Sequence, residues 1–219
     1  MEWLNDNAQA ISAVASICTL FVWVFYAQLL YNGYVRQRRP RVIINRGKGI
    51  GVDSICLISN MSSEAIYVQH LVAVLHTQKG SYSLDVVEYQ QHGGEQQTGS
   101  QQKGEQQEPS YRTHQGPLAS GDYLNIQSFG DIVNQVKDYW EIDDNLLQEQ
   151  NIQLEIRVIA IYGSEDMPTG ASRTFNLDLN APPNHQLIPA SVDTDRLNSR
   201  GQRKRVLEWA KEIETHKAR

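Results

Sequence analysis

From Asn7 to Tyr34 the chain carries no charged residue, and the centre of that stretch, Ile17 to Ala27, is almost wholly apolar. A bilayer core about 30 Å thick needs about 20 helical residues to cross it, and Ala10 to Leu30 supplies that length. A cleavable signal peptide places positive charge before its apolar run and a small-residue cleavage site after it. Here the order is reversed. Glu2 and Asp6 precede the run, Arg36, Arg38, Arg39 and Arg41 follow it, and Tyr31-Asn-Gly-Tyr34 offers no cleavage motif. The stretch is therefore expected to be a retained single-pass anchor over residues 1–35, followed by a basic juxtamembrane hinge over 36–40.

Lys and Arg beside a membrane helix are costly to move across and are held by anionic lipid. The flanks thus place the N-terminus outside and everything from Arg36 onward in the cytoplasm, as in a bacterial-type inner membrane. Lipid contact is expected at Trp3, Tyr31 and Tyr34 near the interfaces, at Trp23 in mid-span, and at Arg36, Arg38, Arg39 and Arg41. Ala10, Ser12, Ala13, Ala15 and Ser16 would let another helix approach closely, a route to homo- or hetero-oligomers.

The remaining length suffices for one domain with a sizeable core. A net charge of −5 gives no reason to expect nucleic-acid binding. Cys18 falls in the anchor and Cys56 in an apolar segment, so the two do not pair, in keeping with a reducing cytoplasm. The sequon Asn60-Met-Ser62 is expected to be a chance match.

Seven extended segments follow the hinge: Arg41–Arg46, Ser54–Ser59, Ile66–Thr77, Tyr82–Tyr89, Tyr123–Gln127, Ile152–Tyr162 and Ala171–Leu179. In the sixth, Ile152, Leu154, Ile156 and Val158 alternate with Gln153, Glu155 and Arg157. In the seventh, Arg173, Phe175, Leu177 and Leu179 oppose Ser172, Thr174, Asn176 and Asp178. Period-2 alternation puts one face in a core and one in solvent. The fold class is therefore mostly β: an anchor helix followed by a seven-stranded Ig-like antiparallel β-sandwich over 41–180, with a short inserted helix and a C-terminal helix.

Residues 90–118, rich in Gln and Gly with a repeated Gly-Glu-Gln-Gln, are expected to be a disordered insertion. Ile132, Val133, Val136, Tyr139 and Trp140 recur at helical spacing, with Asp131 as a cap and Trp140 directed to the core. Residues 181–199, with Pro182, Pro183 and Pro189, read as an extended linker. In the C-terminal helix, 200–219, Val206, Ala210 and Ile213 form one stripe with Trp209 beside it. Arg203, Lys204 and Arg205 stand at its start, the positive end of its own dipole, so something outside the helix must compensate. The helix could dock on its own domain, on the membrane surface, or on a partner through Arg203, Lys204, Arg205, Val206, Trp209 and Ile213.

The histidines show no zinc spacing. His70 and His76, on one strand face, stand about 20 Å apart by strand rise. Gly47-Lys-Gly-Ile-Gly51 has no following helix to present to a phosphate, and Asp143-Asp144 and Glu165-Asp166 read as solvated loop acids. No nucleophile motif occurs. The chain is thus expected to be no enzyme and to hold no cofactor. It reads as a membrane-anchored accessory, scaffolding or regulatory protein whose cytoplasmic sandwich binds a protein partner. The alternative is a tethered sensor whose sandwich loops bind a small molecule or ion.

Overall fold

The computed structural model describes residues 7–37, 39–89, 112–143, 146, 152–163, 165, 167–178 and 186–217. The chain divides into two compact units, 1–39 and 40–219.

The first unit is helix α1, Ala8–Gln37. Every described side chain on it is exposed, including Phe21, Trp23 and Leu30 at 69%, 70% and 74%. Two of its hydroxyls bond back to the helix backbone. Ser16 Oγ donates to the Ser12 carbonyl and Thr19 Oγ1 to that of Ala15, each at 2.8 Å, so neither hydroxyl needs a partner outside the helix. Its 27 residues from Ala8 to Tyr34, with a mean hydropathy of 2.0 in the apolar window, make it long and apolar enough to cross a membrane.

The second unit is mostly β. Its strands are β1 (Val42–Arg46), β2 (Ile55–Asn60), β3 (Ile66–Thr77), β4 (Gly80–Asp85), β5 (Glu88–Tyr89), β6 (Arg112–Thr113), β7 (Gly116–Leu118), β8 (Tyr123–Ser128), β9 (Ile152–Tyr162), β10 (Thr169–Asp178), β11 (Gln186–Pro189) and β12 (Asp195–Leu197). Helix α2 spans Phe129–Tyr139 and helix α3 spans Arg200–Lys217. One antiparallel sheet has the order β1-β2-β8. The other runs β11-β10-β9-β3-β4, with β12 also on β10 and β7 also on β3, while β5 and β6 form a small pair. The two larger sheets share one core, in which Ile44, Cys56 and Ile58 meet Leu75, Leu154 and Phe175, giving a sandwich-like arrangement.

All seven expected segments contain strands, but the fourth, Tyr82–Tyr89, is broken after Asp85, and Glu88–Tyr89 pairs with β6 in a separate sheet. Ile152, Leu154, Ile156 and Val158 face the core, and so do Phe175 and Leu177. Leu179 lies outside the described residues. A bulge between Val68 and His70 shifts the phase of β3. Ile66 and Val68 face inward before it, and Leu71, Ala73 and Leu75 after it, which leaves Val72 and Val74 on the outer face.

Four features differ from the sequence reading. The stretch 181–199, expected as a linker, supplies β11 and β12, which cap the edge of β10 in tandem. Of the insertion expected over 90–118, residues 90–111 lie outside the described residues, whereas β6 and β7 are paired strands. The N-cap of α2 is Ser128 rather than Asp131. Ser128 Oγ accepts from the Asp131 backbone N at 3.0 Å and donates to its carboxylate at 2.6 Å. Trp140 sits at the helix C-cap and is 37% exposed, because the buried stripe is Phe129, Ile132, Val133 and Val136 and one more turn carries the indole past the core.

Three buried polar side chains tie the sandwich-like core together. Arg173, on the inner face of β10, donates to the Ile44 carbonyl at 2.7 Å, to Asn45 Oδ1 at 3.2 Å, and to the Ser191 and Val192 carbonyls. Thr194 Oγ1 accepts from Ile44 N at 2.9 Å, so together they close the outer edge of β1. Asn60 is fully buried, and its amide donates to the carbonyls of Glu64, Leu118 and Ala119. The sequon asparagine is thus a structural tie, with its nitrogen engaged in the folded domain.

Candidate functional site

The outer face of the larger sheet carries α3, and the contact is built from both directions. Val72 and Val74 of β3, Ile159 of β9 and Leu197 of β12 supply an apolar floor, on which Val206 is fully buried and Trp209 nearly so, with Ala210 and Ile213 at the margin. Gly170 makes the close approach possible: a Cβ there would stand 2.6 Å from Val206 Cγ2. Ser199 and Gln202 start the helix as a reciprocal capping box, the Ser199 N donating to Gln202 Oε1 at 3.0 Å and the Gln202 N to Ser199 Oγ at 3.4 Å.

A polar ladder runs across the same face. Ser81 Oγ bonds His76 Nδ1 at 2.8 Å, His76 Nε2 lies 3.3 Å from Glu155 Oε2, and Arg157 Nη2 donates to that oxygen at 2.7 Å. The Arg157 guanidinium then stacks 4.3 Å from the Trp209 ring, with Arg205 on the same ring at 5.4 Å. Burial pushes the Glu155 carboxyl up, but the hydrogen bonds and charges of Arg157 and His76 outweigh it and hold the group below its ordinary range. Arg203 forms an ion pair with Glu165 at the β9–β10 turn.

The residues expected to bind a partner are therefore divided. Val206, Trp209 and Ile213 belong to the domain's own interface, Arg203 is engaged by Glu165, and Lys204 and Arg205 are exposed. The reason is the outward phase of Val72, Val74 and Ile159, which gives the apolar stripe a match within the chain. Of the lipid-contact residues, Trp23, Tyr31 and Tyr34 are exposed on α1, and Arg39 and Arg41 are exposed. Arg36 lies in the last turn of α1, whereas Trp3 and Arg38 lie outside the described residues.

An aromatic group forms where α2 meets the edge strand β4. The Trp140 ring lies 6.0 Å from Tyr82 and 5.5 Å from Tyr139, and its indole N–H donates to the Ser83 carbonyl at 3.0 Å. Tyr139 is 60% exposed. The aromatic residues around the 139–140 turn are visible in the sequence, but their outward direction is not.

Several other titratable groups are held within the fold. His70 Nδ1 pairs with Asp85 at 2.9 Å, and Asp85 also accepts from the Leu71 and Val87 backbone nitrogens, which pins the β3 bulge to the end of β4. Burial pushes the Cys56 thiol up to about 12, so it is no nucleophile at neutral pH. His114 is held below the ordinary imidazole value by burial, partly offset by a hydrogen bond to the Ile126 carbonyl. Among the described residues, no three His, Cys, Asp or Glu side chains are grouped to hold a metal ion. Comparison with known proteins finds no family model, no curated protein and no solved structure that matches this chain.

Proposed function

We propose that this chain is a single-pass membrane protein with its N-terminus outside. Its Ig-like sandwich lies in the cytoplasm and recruits a protein partner to the membrane without catalysis of its own. The observation that carries the reading is the all-round exposure of the apolar α1: side chains such as Phe21, Trp23 and Leu30 need a solvent less polar than water. Orientation follows from the flanks, acidic before the helix and basic after it. The Ig-like assignment rests on strand order. Counted as seven, the longer strands lie 1-2-5 and 7-6-3-4, the A-B-E and G-F-C arrangement of an immunoglobulin sandwich with the fourth strand beside the third.

The surface best suited to a protein partner is the exposed aromatic group of Tyr139 and Trp140, since Tyr and Trp anchor interfaces at low entropy cost. Protease treatment of intact spheroplasts tests the topology: residues 40–219 should be cut only after lysis. Cleavage in intact spheroplasts would invert the orientation. Co-purification in mild detergent should then recover a stoichiometric partner from the wild type and lose it with Tyr139→Ala. Retention of the same partner by that variant would remove the aromatic group from the interface.

A further inference from the structure

One end of the 40–219 unit gathers the segments nearest to where the chain leaves toward α1. Asn198 donates through Nδ2 to the Pro40 carbonyl at 2.9 Å, its Oδ1 accepts from Thr169 Oγ1 at 2.7 Å, and its backbone carbonyl accepts from Arg203 Nε at 3.0 Å. The Arg41 carbonyl accepts from Met61 N at 2.8 Å, and Ser120 Oγ donates to the Ser62 carbonyl at 2.6 Å. The hinge, the turn after β2, the turn before β8 and the first turn of α3 are therefore stitched into one face. Its exposed side chains include Met61 and Tyr123, at 54% and 63%, with the cations Arg41, Arg200 and Lys204. The acids there are Glu64 and Asp122, both exposed, and Glu165, which is already paired with Arg203.

We propose that this face is a seat for the anionic headgroups of the bilayer, so that the domain rests on the membrane surface rather than swinging below its anchor. The proposal depends on α1 crossing the membrane. Four residues separate Gln37, the end of α1, from Val42, the start of β1. At about 3.5 Å per step they allow a span of about 18 Å at most, so this face cannot leave the vicinity of the headgroups. Over that distance charges on the face feel an anionic leaflet only when they approach it, since the Debye length is about 8 Å. A thioether and a tyrosine among cations suit the interfacial layer, where apolar bodies sink and charged tips stay wet. The same contact accounts for the placement of Arg200 and Lys204, which stay exposed at the positive end of the α3 dipole while Arg203 is met by Glu165. That charge is unfavourable for an isolated helix and is relieved by an anionic surface.

The test is hydrogen exchange of the full chain in nanodiscs of phosphatidylcholine alone and of phosphatidylcholine with phosphatidylglycerol. Each cation near an anionic surface favours contact about fivefold. Exchange at 60–65, 119–123 and 198–204 should therefore slow by about fivefold or more in the anionic discs. High salt should reverse the protection in the wild type, and the triple variant Arg41→Glu, Arg200→Glu, Lys204→Glu should lack it. Equal exchange in the two lipids, with the chain embedded in the disc, overturns the proposal. Protection in both lipids that salt does not reverse overturns it too, pointing to a protein contact instead. A chain that never enters the disc is a different result, because it removes the anchor on which the proposal stands.

Discussion

Helices α1 and α3 differ in how they treat apolar surface. Between Asn7 and Tyr34, α1 has no charge, and its apolar side chains point in every direction with none buried. The segment of α3 holds nine charged residues, yet it buries Val206 and Trp209 completely or nearly so. Apolar content thus does not decide whether a helix docks within the chain. Direction decides it: a stripe can match a sheet face, while an apolar surface all round needs an apolar medium. The outer face of β3 and β9 supplies that match through Val72, Val74 and Ile159, and Gly170 lets Val206 settle against β10.

The comparison can be broken from either side. Trp209→Ala should have the largest effect, costing about 3–5 kcal/mol as a large buried side chain is lost and the stack on Arg157 with it. Hydrogen exchange should rise throughout 200–215 while the sheets stay protected; if the sheets open together with α3, the helix is part of the same cooperative unit. Val22→Arg attacks the other helix. A cation at the centre of a span costs about 3 kcal/mol of insertion free energy, so the chain should shift into the carbonate-extractable fraction. The melting of the 40–219 unit should be unchanged by it, and any change would show that α1 stabilises the β domain.

Gly170→Ala should cost about 1–3 kcal/mol by overpacking against Val206. Pairing it with Val206→Ala should recover part of that loss in a double-mutant cycle, and simple additivity would mean that the two positions do not meet. Ser199→Ala should cost about 1 kcal/mol through loss of the capping box, read as a lower urea midpoint and faster exchange in the first turn of α3.

The smallest effect expected is with pH. His114 titrates lower in the folded chain than its ordinary 6.5, so the unfolded chain binds more protons as pH falls through that value. Stability should be full above about pH 6.5 and decline below it. Glu155, held below 4.5, adds a second decline that begins as pH drops through that value. Urea midpoints across this range should show the upper limb flattened in His114→Gln and the lower one in Glu155→Gln.

Much of the fold was legible in the sequence because its signals lie between near neighbours. The alternation of Ile152, Leu154, Ile156 and Val158 marks a half-buried strand without reference to any partner. The helical recurrence of Ile132, Val133 and Val136 likewise marks α2. The cap at Ser128 and the capping box at Ser199 and Gln202 are local signals of the same kind, each closed between residues three apart. Of the candidate site, the sequence shows Trp209 and Arg203 on the C-terminal helix, but not the surface that covers them. That depended on the bulge before His70, which turned Val72 and Val74 outward and made a floor for a segment more than a hundred residues away.

By itself the sequence determined that a charge-free helix of membrane-crossing length precedes a mostly β domain, since length, hydropathy and period-2 alternation are properties of contiguous residues. The tertiary structure alone decided the rest. It paired 186–189 and 195–197 with β10, gave Arg173 its partners at Ile44, Asn45, Ser191 and Val192, and turned Trp140 outward. It also closed the edge of β1 with Thr194, 150 residues from Ile44. Each of these depends on which distant backbone lies within hydrogen-bonding reach, and no local pattern of residues carries that information.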